Sequence, residues 1–188
     1  MRRPSMLVIV LLAAGVGFLA LTRTQAASAA EWEFPKEWFF HDNDEQRAKH
    51  EQLLGKPMPP LDLTDWHGQA LTNEDLKGKI LVVDFWATWC GPCIRAMPKN
   101  EALATKYKDQ GVLVIGVCTS SGQEKMDQVL DRTKVTYPNG KDPSLAAEKA
   151  WSVMWYPTYA VVDRKGNVRA IGLMPDKVEE VVKKLLAE

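Results

Sequence analysis

Two cysteines separated by two residues, Cys90 and Cys93, are the side chains of this sequence best suited to chemistry. A thiolate is a strong nucleophile, and a second thiol three residues away can attack a mixed disulfide on the first and release the bound partner. We therefore expect Cys90 to attack and Cys93 to resolve. Half of a zinc site is the alternative, but the chain has no second CxxC, and His41, His50 and His67 lack ligand spacing. The sequence favours redox chemistry, with no metal or other cofactor.

The elements next to the cysteines indicate how they are positioned. Six of the seven residues from Ile80 to Trp86 are apolar, as expected for a central strand that is buried on both faces of a sheet. A helix that begins near Cys90 places its sulfur among N–H groups without intrahelical partners, which favours the thiolate. Pro92 suits the first turn of such a helix, where the N–H that proline lacks is unpaired anyway. The pattern predicts a strand that delivers a dithiol to the start of a helix.

The motif WCGPC at residues 89–93 follows an apolar strand and precedes Pro98, and it resembles the active site of the thioredoxin superfamily. The preceding residues 55–79 are similar to the TlpA-like (TlpA/ResA-type) branch and to peroxiredoxins. The resemblance implies an α/β thioredoxin fold over residues 55–188, in which a βαβ unit is followed by ββα. A central mixed sheet flanked by helices, with an N-terminal extension, is the expected architecture.

The resemblance also implies roles for residues around the dithiol. Tyr156-Pro157-Thr158 matches the cis-proline loop, which lies beside the dithiol in this superfamily and offers its backbone to an extended substrate. An ordinary turn proline is the alternative. The residues that we expect to contact the substrate are Trp89, Gly91, Pro92, Tyr156 and Pro157.

Asp84 places a carboxylate inside the apolar strand, where its charged form is costly to bury. We expect a raised pKa or a specific partner for this side chain. It matches the buried acid of thioredoxins, and the resemblance implies that it assists proton transfer to and from Cys93. A solvated strand end is the alternative, but the neighbours Val83 and Phe85 make it unfavourable.

Cys118 and the three histidines are not assigned to the site. Cys118 ends the apolar run that begins at Val112, and a small buried hydrophobe is the favoured interpretation. A third redox thiol is the alternative. We expect the histidines at the surface.

Three smaller elements are predicted from local patterns. Leu61–Leu63 is expected to form an edge strand and Val135–Tyr137 a short strand. Asp176 and Glu179 have the spacing of a capping box at the start of the last helix.

The first 30 residues have the composition of a targeting segment. Arg2 and Arg3 precede an apolar run from Met6 to Leu21, and Ala27-Ser28-Ala29 matches a cleavage signal. We expect a signal peptide for export to the periplasm, or an uncleaved membrane anchor. Residues 31–54 are expected to form an accessory segment whose aromatic side chains either pack on the core or bind a partner.

The sequence therefore predicts an exported thiol-disulfide oxidoreductase that acts mainly as a protein-disulfide reductase. Its expected partners are protein disulfides and a membrane electron donor. With 24 basic and 24 acidic residues, the chain has no excess positive charge that suggests nucleic acid. The alternatives are a disulfide oxidase or isomerase, a thiol peroxidase, and a non-catalytic docking module. The usual Pro-x-x-x-Thr-x-x-Cys peroxidase pattern is not present around Cys90.

Overall fold

The computed structural model describes residues 33–41, 43–119 and 121–188. The targeting segment expected at residues 1–30 lies outside the described residues. Within the described ranges, none of the helices combines the length and the apolar character that spanning a bilayer requires.

Six strands form one mixed sheet in the described part of the chain. They are β1 (Thr64–His67), β2 (Ile80–Trp86), β3 (Val112–Cys118), β4 (Asn139–Lys141), β5 (Thr158–Val162) and β6 (Val168–Leu173). Their order across the sheet is β1-β4-β3-β2-β5-β6. β2 pairs in parallel with β3 and antiparallel with β5, so the strand that precedes the cysteines lies in the middle of the sheet.

In the described ranges, six α-helices connect and cover these strands. They are α1 (Asp44–Glu51), α2 (Asn73–Leu76), α3 (Gly91–Tyr107), α4 (Met126–Thr133), α5 (Ala146–Ala150) and α6 (Val178–Leu186). The chain therefore runs β2-α3-β3 and later β5-β6-α6. The predicted order of βαβ followed by ββα is confirmed.

Every residue of β2 is buried because both faces of the central sheet are covered. Side chains alternate along a strand, and the even-numbered apolar residues of β2 join a core cluster that includes Cys93 and Met97 of α3. The odd-numbered residues join a second cluster, which contains Ala147 and Trp151. Asp84 is even-numbered and therefore faces the side of the sheet on which the cysteine-bearing helix lies.

The helix that carries the dithiol begins as the sequence predicts. Cys90 is the N-cap residue of α3, Pro92 lies in the first turn and Pro98 lies inside the helix. A short 3-10 segment follows, and Gly111 then reverses the chain with a φ of 77°. Glycine adopts this left-handed conformation without a steric penalty, so the chain can turn directly into β3.

The positions predicted for two short strands are wrong. The edge strand expected at Leu61–Leu63 is β1 at Thr64–His67, and the strand expected at Val135–Tyr137 is β4 at Asn139–Lys141. These two strands pair with each other, and β4 also pairs with β3. Their positions depend on partners that are distant in sequence, which local propensity does not report.

The capping box expected for the last helix is also absent. α6 follows Lys177, and no side chain caps its first turn. The Glu179 carboxylate instead accepts hydrogen bonds from Lys106 Nζ at 2.7 Å and from Tyr107 Oη at 2.8 Å. A tertiary contact with α3 therefore replaces the local cap.

Asn139 of β4 occupies the space beside Gly116 of β3. A Cβ atom on residue 116 would overlap the Asn139 side chain. Asn139 Oδ1 accepts a hydrogen bond from Trp86 Nε1 at 2.9 Å, and its Nδ2 donates to the Tyr137 carbonyl at 2.9 Å. One buried amide thus attaches β4 to the centre of the sheet.

The described part of the accessory segment packs against β6. The Phe40 N–H donates to the Gly172 carbonyl at 2.8 Å. Phe39 is buried in the core, whereas Phe40 is 43% exposed and contacts Trp155 edge to face at 5.3 Å between ring centroids. Phe39 therefore packs on the core, whereas the exposed Phe40 ring forms part of an aromatic surface. The division between this segment and the domain at residue 54 remains a prediction.

His50 of α1 is not at the surface, contrary to expectation. Its side chain is fully buried, and Nε2 lies 3.1 Å from the Ser152 carbonyl oxygen. Burial lowers the pKa of His50 to about 4, so the imidazole is neutral at physiological pH. The polar residues around it in the sequence do not indicate this burial, which results from packing against Trp155.

Candidate active site

Cys90 and Cys93 are joined in a disulfide at the start of α3. The Cys93 N–H donates a hydrogen bond to the Cys90 sulfur at 3.2 Å. Cys90 exposes 4% of its surface, whereas Cys93 exposes none. A partner therefore reaches the pair from the Cys90 side.

The start of α3 stabilises negative charge on Cys90. The N–H groups of the first helical turn have no intrahelical acceptors and form the positive end of the helix dipole. No acidic residue lies in this turn to oppose the effect. After reduction of the disulfide, this environment favours the thiolate of Cys90, while burial favours the neutral thiol of Cys93.

Trp89 and the loop before β5 adjoin the disulfide. Trp89 is 60% exposed, and its ring contacts Tyr156 edge to face at 5.7 Å between centroids. The Tyr156–Pro157 peptide bond is cis, as the resemblance implied. Gly91 and Pro92 are exposed, and Tyr156 and Pro157 are half-buried. The structure thus brings the five residues predicted to contact a substrate to one edge of the sheet.

Glu148 of α5 is a residue of this edge that the sequence analysis missed. Its carboxylate accepts hydrogen bonds from the Tyr156 hydroxyl and from Thr119 Oγ1, the latter at 2.7 Å. It therefore links the end of β3 to the cis-proline loop. No local pattern marks this residue, because the fold alone brings α5 next to the loop.

Asp84 is completely buried, as predicted. Its Oδ2 accepts a hydrogen bond from Asn100 Nδ2 of α3 at 2.8 Å, and its neighbour on β5 is Tyr159. Burial raises the pKa of Asp84 to about 8, and hydrogen bonding with Tyr159 and Asn100 opposes part of this rise. A carboxyl group that titrates near neutral pH can both take up and release a proton there.

Asn100 and Tyr159 were also missed by the sequence analysis. Asn100 lies seven residues after Cys93, on the buried face of α3. A polar residue at this helical spacing, among buried apolar positions, is a signal that could have revealed it. Tyr159 offers no such signal, since a tyrosine in an apolar strand is common.

Cys118 ends β3 opposite Trp86 and is fully buried. Burial raises the pKa of its thiol to about 12, which keeps it neutral and unreactive. This environment favours the interpretation as a small buried hydrophobe. Within the described residues, no three potential ligands among His, Cys, Asp and Glu are grouped to hold a metal ion.

A family model described as Redoxin matches residues 53–186. The chain belongs to the Redoxin family. This redoxin is 31% identical over 120 residues to the thiol-disulfide oxidoreductase ResA of Bacillus cereus (strain ZK / E33L), covering 64% of this chain and 69% of the relative. It is 29% identical over 153 residues to the ResA of Halalkalibacterium halodurans, and the match covers 80% of this chain and 84% of the relative.

Solved structures show the same fold. A Chlorobium tepidum protein assigned as the thiol:disulfide interchange protein DsbE is 27% identical to this redoxin, with a TM-score of 0.62, and the match covers 71% of this chain and 96% of that one. A thioredoxin-like protein solved in the oxidized form is 29% identical, with a TM-score of 0.60, 70% coverage of this chain and 95% of that one. The predicted thioredoxin fold and superfamily are confirmed. This redoxin is a thiol-disulfide oxidoreductase of the ResA/DsbE type, with a CxxC pair at Cys90 and Cys93.

Proposed function

We propose that this redoxin is an exported protein-disulfide reductase in which Cys90 attacks, Cys93 resolves and Asp84 carries the proton. The arrangement at the start of α3 supports this proposal most strongly. Cys90 is the more accessible sulfur and lies at the positive end of the helix, whereas Cys93 lies behind it, fully buried. This asymmetry suits a first attack by Cys90 and an internal second attack by Cys93.

The reaction starts from the reduced dithiol. The Cys90 thiolate attacks one sulfur of the substrate disulfide, forming a mixed disulfide and releasing the other substrate sulfur as a thiolate. The Cys93 thiol then gives its proton to the Asp84 carboxylate, and the Cys93 thiolate attacks the Cys90 sulfur. The Cys90–Cys93 disulfide forms, and the second substrate sulfur leaves with the electron pair of the broken bond. The substrate gains two electrons and the redoxin loses two.

Trp89, Gly91, Pro92, Tyr156 and Pro157 are proposed to contact the substrate. Trp89 supplies an exposed apolar surface directly before Cys90. Tyr156 of the loop before β5 contacts the Trp89 ring, so an extended segment that reaches Cys90 passes beside this loop. We expect substrate recognition to depend on backbone contacts and apolar packing.

Export is proposed from the composition of residues 1–30, which combine basic, apolar and small-residue regions in the order of a signal peptide or anchor. Disulfides persist outside the cytosol. A reductase in that compartment needs a source of electrons, so we propose a membrane donor that re-reduces the Cys90–Cys93 disulfide. A fusion of residues 1–30 to a reporter that supports growth only when it is exported tests the targeting step. A reporter that stays in the cytosol contradicts the proposed export.

The reduction potential of the Cys90–Cys93 pair tests the direction of electron flow. Equilibration of the mature protein in dithiothreitol and glutathione buffers should give a value near that of thioredoxin, about −270 mV. Strong disulfide oxidants have reduction potentials of about −120 mV. A potential tens of millivolts above that of protein disulfide isomerase would contradict a reductase and favour the oxidase or isomerase alternative.

Trapping variants test the order of attack. Cys93→Ser should accumulate a mixed disulfide on Cys90, because the resolving thiol is missing, whereas Cys90→Ser should trap far less partner. Nonreducing electrophoresis after incubation with a protein disulfide measures both. Stronger trapping by Cys90→Ser would reverse the assigned roles. Full biological activity of Cys90→Ser would instead support the docking-module alternative. Rapid consumption of peroxide by the wild type would support the peroxidase alternative.

A further inference from the structure

Four buried polar side chains lie close together between α3 and the central strands. Asp84 is on β2, Asn100 on α3, Tyr159 on β5, and Tyr137 in the segment between α4 and β4. None exposes more than 5% of its surface. Buried polar groups are costly unless they are hydrogen-bonded, so the contacts within this cluster determine how each group behaves.

The Asn100 amide has a defined orientation. Its Nδ2 donates to Asp84 Oδ2 at 2.8 Å and to Tyr159 Oη at 2.9 Å. The Tyr159 hydroxyl donates in turn to Asn100 Oδ1 at 3.3 Å. The N–H side of the amide therefore faces the carboxylate, and Tyr159 holds it there.

The second oxygen of Asp84 is outside these contacts. Asp84 Oδ1 has no hydrogen-bond partner among the residues that the structure describes. β3 presents only Gly116 at this position, which has no side chain. The titratable groups beside Asp84 are Tyr159 from β5 and Tyr137 from the segment before β4, with Glu101 of α3 acting on Tyr137. Asn100 Nδ2 therefore occupies one carboxylate oxygen, Tyr159 also hydrogen-bonds with Asp84, and Oδ1 has no partner among the described residues.

Building on the function proposed above, we propose that Asn100 is a positioning residue that keeps the Asp84 proton on Oδ1, the oxygen that exchanges it with Cys93. Because Oδ2 already accepts the Asn100 N–H, the carboxyl group binds its proton on Oδ1. The same hydrogen bond stabilises the carboxylate and makes Asp84 a usable base at lower pH.

In the resolving step, the Cys93 thiol gives its proton to Asp84 Oδ1, and the Cys93 thiolate attacks the Cys90 sulfur. The electron pair of the broken bond leaves with the partner's sulfur. Asn100 and Cys93 lie about two turns apart on the buried face of α3, so a single helix carries both the resolving thiol and the group that orients its base.

The variant Asn100→Leu tests this role because it removes the donor and keeps a side chain of similar size. The pH midpoint for release of a partner from a mixed disulfide on Cys90 should rise by about one unit, which slows release about tenfold at pH 7. Higher pH should restore the wild-type rate. Asn100→Gln, which keeps an amide, should lie closer to the wild type. A carbon-13 NMR titration of the Asp84 carboxyl in the oxidised protein should show the same upward shift.

Met97→Leu, on the same buried face of α3, is the matched control and should leave the midpoint unchanged. An unchanged midpoint in folded Asn100→Leu overturns the proposal, as does a shift that persists in an Asp84→Leu background. If Asn100→Leu does not fold, Tyr159→Phe replaces it. This variant removes the hydroxyl that contacts both the Asn100 amide and Asp84 and should raise the midpoint, and no rise overturns the proposal. The NMR titration needs no substrate, so a protein that fails to reduce disulfides contradicts the proposed function and still tests Asn100.

Discussion

At the scale of single residues, Asp84 shows how a group suited to proton transfer affects stability. Its carboxyl group lies between apolar neighbours in the central strand, and burial has the largest influence on its pKa. Burial favours the neutral acid over the carboxylate. The folded protein therefore holds a proton on Asp84 at pH values at which the unfolded chain has released it.

Asp84→Asn is expected to make the protein more stable at pH 8 and slower in the resolving step. The folded pKa of about 8 lies above the ordinary value of 3.8, so the stability that depends on the neutral acid is fully present below pH 3.8 and is lost as the pH rises to about 8. The free energy of unfolding of the wild type should fall by on the order of a few kcal/mol across this window. Urea unfolding of the oxidised protein between pH 4 and pH 9 measures this loss. Parallel pH profiles for the two proteins would contradict the prediction.

His50 is expected to make the protein less stable as the pH falls, the opposite of the pH dependence expected from Asp84. Its folded pKa of about 4 lies below the ordinary value of 6.5, so stability is fully present above pH 6.5 and is lost as the pH falls towards 4. The loss should be on the order of 2–3 kcal/mol, because protonation places a charge in a buried site. His50→Gln should flatten the profile in thermal unfolding measured from pH 7 to pH 4, and the control His67→Gln should not. A wild-type profile that is already flat would rule out this assignment.

At the scale of elements, the parts of the fold with a strong local signal were predictable. The apolar run of β2, the helix start at Cys90 and the glycine after α3 each follow from physical preferences of a few neighbouring residues. The short strands β1 and β4 were misplaced because their pairing with each other and with β3 decides where they form. The start of α6 was misread because Glu179 contacts α3.

Glu148 is expected to control the fit of protein substrates from the short helix α5. Glu148→Ala removes the acceptor shared by Tyr156 and Thr119, so the cis-proline loop and the adjoining Trp89 lose a constraint. The KM for a protein disulfide should rise roughly three- to tenfold, while the rate with a small disulfide changes little. Steady-state kinetics with both substrates measure this. Lys149→Ala, at the exposed neighbouring position, is the control. Equal losses with both substrates would show that the change acts elsewhere.

At the scale of the whole molecule, the candidate site combines residues from four elements that belong to two distant stretches of the chain. Cys90 comes from the start of α3, Asp84 from β2, Glu148 from α5, and Tyr156 from the loop before β5. The motif and the family resemblance predicted three of these residues because each has a recognisable local pattern. Glu148 has no such pattern, and Asn100 is marked only by its helical spacing, since the roles of both arise when the sheet and its helices are assembled.

The contact between Gly116 and Asn139 has an evolutionary consequence. Any larger residue at position 116 would collide with the Asn139 side chain, and loss of that amide would leave the Trp86 N–H without its acceptor. Mutations at these two positions therefore cannot accumulate independently in a lineage. A larger residue at position 116 requires the Asn139 side chain to move or to be replaced by a smaller one, so a change at one position alters which changes the other tolerates.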